Sequence, residues 1–184
     1  MKILISAFLL ICLLPAHAQF NKEITLDDGR KFLVGQLTLD GLKSESYSSW
    51  FEQNYKKYVV DDALISMFKE QLSDHHIKLF LGTWCGDSKR EVPRFIKILH
   101  AAEYPMENLE IVALDRRKEF YKTSPTSEEQ GLNIVKVPTM IFFNDGKEMN
   151  RIIERPVESL EEDIAAILMQ KSYTPNYAHL KRTE

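Results

Sequence analysis

The stretch Ile77-Lys78-Leu79-Phe80-Leu81-Gly82-Thr83-Trp84-Cys85-Gly86-Asp87-Ser88 decides how this chain reads. Its first five residues form a short apolar run of strand length, and the run stops at a glycine. From about Ser88 to Glu103, Val92, Phe95, Ile96 and Leu99 recur at helical spacing, which predicts a helix. Cys85 therefore falls where a strand ends and a helix begins. Unpaired backbone N–H groups and the helix dipole favour a thiolate over a thiol at such a junction. Lys89 and Arg90 add positive charge in the same turn, and Asp87 opposes them. Ser88 is placed to offer its hydroxyl to the sulfur or to cap the helix. Pro93 lies within the helix and is expected to kink it.

Working outward, Asp61 or Asp62 caps a preceding helix that runs to Leu72, with Leu64, Ile65, Phe68 and Leu72 inward. Leu109–Leu114 reads as a strand, followed by the charged run Asp115-Arg116-Arg117-Lys118 and a short helix near Ser127–Gln130. Pro138–Phe143 and Glu148–Ile153 form a hairpin around Asn144-Asp145-Gly146-Lys147. Ser159-Leu160-Glu161-Glu162 is a capping box that opens a last helix to about Gln170. Upstream, Ile24–Leu39 predicts a hairpin turning at Asp27-Asp28-Gly29, with Gly35 marking a bulge. Tyr47, Trp50, Phe51, Tyr55 and Tyr58 share one face of a helix over 46–58, an aromatic stripe expected to pack on the core. The order from Asp61 onward predicts an α/β fold, a mixed sheet with helices on both faces and right-handed crossovers. The polar tail after Ser172 is expected to be loose.

The 184 residues are 44% hydrophobic and 28% charged, material for one domain plus an extension. A net charge of −3 provides no basic field, so nucleic acid is not an expected partner. Lys2, the apolar run Ile3–Leu14 and Ala16-His17-Ala18 read as a signal peptide cleaved after Ala18, which predicts a secreted or periplasmic protein with no membrane span after cleavage. Ile11 before Cys12 argues against a lipoprotein. Cleavage would remove Cys12 and leave Cys85 as the mature chain's single thiol, unable to form an internal disulfide. The resulting division is 1–18 signal peptide, 19–60 N-terminal extension, 61–171 main domain and 172–184 tail.

Trp84-Cys85-Gly86, between an apolar strand and a helix, resembles the active-site turn of thioredoxins. Val137-Pro138-Thr139, about fifty residues later, resembles their cis-proline loop. The resemblance spans about Asp61 to Gln170. It implies a thioredoxin fold with a central mixed sheet flanked by helices, and a cis Val137–Pro138 bond packed beside Cys85. It further implies that Cys85 is the nucleophile with Ser88 as its hydrogen-bond partner. Trp84, Gly86, Asp87, Val137, Pro138 and Thr139 would contact substrate, the Val137 backbone pairing with an extended segment.

Two residues depart from that pattern. Ser88 stands where the second cysteine belongs, and a hydroxyl cannot resolve a mixed disulfide. Leu79 stands where thioredoxins keep a buried carboxylate six residues before the cysteine. The dithiol cycle is thus excluded, and two classes remain: monothiol thiol–disulfide exchange, or a binding module that holds clients in a groove beside Pro138. Cys85-Gly86-x-Ser88 also faintly resembles the monothiol glutaredoxin turn, but Trp84, Asp87 and the export signal argue against a shared iron–sulfur cluster. No cofactor and no metal are expected, His75, His76 and His100 being read as surface residues. The implied partners are protein thiols or disulfides and a small thiol, with a disulfide-linked dimer through Cys85 left open. The N-terminal extension is read as covering a sheet edge or forming a partner surface.

Overall fold

Asp27-Asp28-Gly29 turns the chain as its composition demands: the Gly29 N–H donates to the Leu26 carbonyl at 2.8 Å, and Leu26 N–H to Arg30 O at 2.9 Å. That turn joins β1 (Lys22–Thr25) to β2 (Lys31–Leu37) in a computed structural model describing residues 19–182. The segment read as a signal peptide, with Cys12, lies outside the described residues. The later elements are α1 (Leu39–Leu42), α2 (Glu45–Lys57), α3 (Asp62–Ser73), β3 (His76–Leu81), α4 (Gly86–Ala101), β4 (Leu109–Ala113), β5 (Thr139–Asn144), β6 (Lys147–Ile153) and α5 (Leu160–Leu168). Of the two candidate caps for α3, Asp61 is the one used, accepting from Leu64 N–H at 3.0 Å. Ser159 caps α5 by accepting from Glu162 N–H at 3.1 Å. Among the described residues, no helix is long and apolar enough to cross a membrane.

The six strands form one mixed sheet in the order β1-β2-β4-β3-β5-β6. β3 and β4 run parallel, with Leu79 beside Ile111, and every other pairing is antiparallel. β2 pairs with β4, so the N-terminal hairpin continues the sheet on that side. Gly35 has a φ of +79° in the left-handed region, yet pairs in register with Ala113; the bulge lies at Phe142/Phe143 instead.

Side-chain alternation along the strands divides the buried residues between two faces. Leu33, Leu37, Ile77, Leu79, Leu81, Ile111, Met140 and Phe142 join buried residues of all five α-helices in one large cluster. Phe80, Val112 and Ile141 point the other way and pack with Leu114, Ile134 and Val137. Among the described residues no α-helix contributes to that second cluster, which corrects the expectation of helices on both faces. The segment joining β4 to β5 covers it with turns. The helix expected near Ser127–Gln130 does not form, because Ser127 (φ +63°), Gly131 (+74°) and Asn133 (+51°) all occupy the left-handed region.

The aromatic stripe of α2 packs on α4, with Tyr47 and Phe51 buried. α4 runs unbroken from Gly86 to Ala101 with Pro93 inside it. The tail is tied down, contrary to expectation. Tyr173 donates its hydroxyl to Asp163 (2.7 Å), Asn150 donates to Tyr173 O (3.1 Å), and Asn133 donates to Leu180 O (3.2 Å).

Candidate functional site

The turn after β3 is shaped by close packing. Cys85 N–H donates to Gly82 O at 2.8 Å, and a β-carbon at Gly82 would lie 2.7 Å from the Trp84 ring, so this position excludes a side chain. Thr83 is buried and accepts from Leu33 N–H at 3.0 Å, anchoring the turn to β2. Trp84 donates its indole N–H to Leu114 O at 2.8 Å, and its ring packs against Tyr121 with centroids 5.8 Å apart.

Cys85 is the N-cap residue of α4, with extended φ and ψ and its carbonyl accepting from Lys89 N–H at 3.0 Å. Its side chain is half-buried, and the thiol donates to Val137 O at 3.3 Å. The Val137–Pro138 peptide bond is cis. Thr139 holds this loop by donating its hydroxyl to Lys136 O at 2.8 Å, while Pro138 O accepts from Glu154 N–H at 2.6 Å. The chain thus brings Trp84, Cys85, Val137, Pro138 and Thr139 together from two segments about fifty residues apart.

Ser88 is placed differently from its expected role. It is fully buried, and its Oγ accepts from the Gly82 N–H at 3.1 Å, so it braces the turn from behind and not through the sulfur. Gly86 is exposed, and a β-carbon there would meet nothing within 4 Å, leaving the approach over the helix end open. Asp87 pairs with Arg90 at 2.6 Å, and Arg90 also bonds Glu91 at 2.6 Å. Arg90 is therefore engaged by two carboxylates and contributes little net charge near the sulfur.

A family model described as thioredoxin matches residues 42–166. The chain belongs to the thioredoxin family. It is 31% identical over 90 residues to a thioredoxin-like protein of Acanthamoeba polyphaga mimivirus, covering 46% of this chain and 56% of that relative. The chain thus spans about half the length of this curated relative. Among solved structures, it resembles a protein of unknown function from Pseudomonas aeruginosa at 12% identity and a TM-score of 0.51, covering 69% of this chain and 86% of that one, a likeness of fold. Mitochondrial thioredoxin 3 from Saccharomyces cerevisiae is 23% identical over 48% of this chain and 76% of that one, with a TM-score of 0.31.

In this thioredoxin-family chain, the family's carboxylate position is Leu79, fully buried in the large core. The charged run after β4 is partly folded inward: Asp115 is buried and grips Arg117, with Nη2 2.7 Å from Oδ2. His75, read as a surface residue, is buried, with its Nδ1 2.6 Å from Gln71 O. His100 faces Tyr55 OH at 2.8 Å.

Sequence reasoning missed Tyr121, Lys122 and Lys136, which the β4–β5 segment brings to the sulfur's side of the sheet. Burial and the charge of Lys136 hold the Lys122 ammonium below its ordinary pKa of 10.5, and a thiolate at Cys85 pulls it back up. No residue spacing announces this neighbour; it depends on how a loop closes.

Proposed function

We propose that this chain carries out thiol–disulfide exchange through Cys85 alone, as an exported, monothiol member of its family. Thioredoxin membership supports a general redox role through thiol–disulfide chemistry. The observation that carries the finer reading is the Cys85 sulfur at the N-terminus of α4, half-buried, 3.3 Å from the Val137 carbonyl. The thiolate attacks one sulfur of a partner disulfide; a new S–S bond forms, the old one breaks, and the displaced sulfur leaves as a thiolate. Ser88 cannot take the next step, so a second thiol, from a protein or a small molecule, attacks the mixed disulfide and restores Cys85. Export rests on Lys2, the apolar run and Ala16-His17-Ala18, with cleavage yielding Gln19 as first residue.

The test is alkylation of the purified mature protein across pH, with mixed-disulfide trapping in the native host. Exchange predicts a thiol that alkylates in the folded state, and disulfide adducts with several proteins that vanish in Cys85→Ala. A thiol that stays unreactive until the protein unfolds, or full biological activity in Cys85→Ala, overturns it and favours a client-holding binding module. N-terminal sequencing of the protein recovered outside the cytosol reads the export claim directly; Met1 retained on cytosolic protein refutes it.

A further inference from the structure

The loop after β4 aims a cation at the sulfur's neighbourhood. Lys122 N–H donates to Asp115 O, and Asp115 N–H to Thr123 O, each at 2.9 Å, closing residues 116–121 into a projecting loop. Lys122 itself takes a φ of +59°, an uncommon left-handed backbone for a side-chain-bearing residue. Its ammonium donates to the carbonyl of Val135, two residues before the one whose carbonyl holds the Cys85 thiol. It also lies 5.1 Å from the centroid of Tyr121, the ring that packs on Trp84. Lys122 and Cys85 therefore bond carbonyls two residues apart on the segment that leads into Pro138.

The charges around Lys122 are unbalanced. Among the described residues, no carboxylate lies within salt-bridge distance of Lys122 or Arg182. Glu154 is bound to Lys136 at 3.2 Å, Asp87 to Arg90, and Asp115 to Arg117. Lys136 and Arg182 act on Lys122 as like charges, Glu154 and the Cys85 thiolate as opposite ones. Arg182 is held in place through its backbone N–H, which donates to Asn133 Oδ1 at 2.7 Å. A cavity of about 270 Å³ opens here, lined by Tyr121, Lys122, Ile134, Val135, Leu180 and Arg182 among others. Cys85 does not line it; the cavity is smaller than a typical ligand pocket, takes the acidic end of a small molecule, and has a cationic rim.

We propose that Lys122, seconded by Arg182, selects low-molecular-weight disulfides that carry carboxylates close to the scissile S–S bond. The inference rests on the exchange reading and names its partner class. Cys85 attacks one sulfur to form Cys85–S–S–R, the R–S–S–R bond breaks, and the leaving thiolate takes a proton from solvent, so one disulfide replaces another with no external oxidant. Lys122 pairs with a carboxylate of R during the attack and takes no part in bond making; it is a positioning residue.

The experiment measures, by mass spectrometry, the rate of Cys85 adduct formation with three probes: dithiodipropionate (anionic), bis(2-hydroxyethyl) disulfide (neutral) and cystamine (cationic). At low ionic strength the anionic-to-cationic rate ratio is expected to be about tenfold or more, collapsing toward one in about 0.5 M salt. Lys122→Gln and Arg182→Gln are each expected to lower the ratio about threefold, and Lys122→Arg to retain it. Arg182→Gln and the salt series stand in should Lys122→Gln fail to fold. Reaction with all three probes at similar rates overturns the selection while leaving exchange intact. Reaction with none removes exchange itself, and the selection with it.

Discussion

Asn54 of α2 donates its side-chain amide to the Lys89 carbonyl, 3.1 Å away in the first turns of α4. That carbonyl is the one Pro93 leaves without a helical donor, four residues on. The second amide hydrogen of Asn54 bonds Trp50 O at 2.9 Å, so the side chain is locked between two helices. A proline inside the cysteine-bearing helix is thereby supported from the N-terminal part of the chain.

Asn54→Ala should lower stability by about 1–2 kcal/mol, read as a shift in the urea midpoint. In a Pro93→Ala background, where residue 93 regains an N–H for Lys89 O, the same substitution should cost markedly less. Additive costs in the double variant would show that Asn54 is not the proline's partner.

Ser88→Ala strips the buried Gly82 N–H of its acceptor and should cost about 1–3 kcal/mol. Ser88→Cys puts a resolving sulfur one helical turn from Cys85 and should create insulin-type disulfide reduction at some loss of stability, since a thiol is a weak acceptor. A folded Ser88→Cys protein without reductase activity would mean that Ser88 is not the only barrier, with Leu79 the next to test.

Asp163 is buried and accepts from Val157 N–H (2.8 Å), Glu158 N–H (3.2 Å) and Tyr173 OH (2.7 Å). Asp163→Ala should destabilise the protein by several kcal/mol and release the tail, making the bond after Lys171 a fast tryptic site. Tyr173→Phe should loosen the tail alone. Wild-type protease resistance after Lys171 in both variants would refute the tether.

Acid sensitivity should come in two windows. Partial burial, and then Lys43, hold His100 below its ordinary 6.5, so the fold favours its neutral form. Its contribution is complete above pH 6.5 and declines as pH falls toward the folded value. Lys31 holds Glu23 below the ordinary 4.5; for Glu128, burial pushes upward but bonds from Ser124 and Thr126 outweigh it. Their contributions are present above pH 4.5 and are lost as pH falls through the lowered values. Urea midpoints from pH 8 to pH 3 should show both declines, and His100→Gln should flatten the first.

The strand–turn–helix around Cys85 was legible because local signals agree there: an apolar run, a glycine stop and a helical apolar period meet within a dozen residues. The caps Asp61 and Ser159 were legible for the same reason. Ser88's partner was not, since a hydroxyl three residues after a cysteine faces either the sulfur or the strand end, and packing chose Gly82. The cover over the second face was misread because Ser127, Gly131 and Asn133 carry ordinary loop chemistry whose left-handed backbone leaves no periodic trace. Lys122 was invisible because its proximity to Cys85 depends on the Asp115–Thr123 closure. The tail's anchors, Asn133, Asn150 and Asp163, are single polar residues that no spacing rule singles out.

With every α-helix among the described residues packed on one side of the sheet, fold maintenance and sulfur-side variation fall to different parts of the chain. A library randomised over solvent-facing positions of 116–136 would sample new reactivities on an unchanged chassis. The same number of changes on the inward face of α4 would mostly yield insoluble protein.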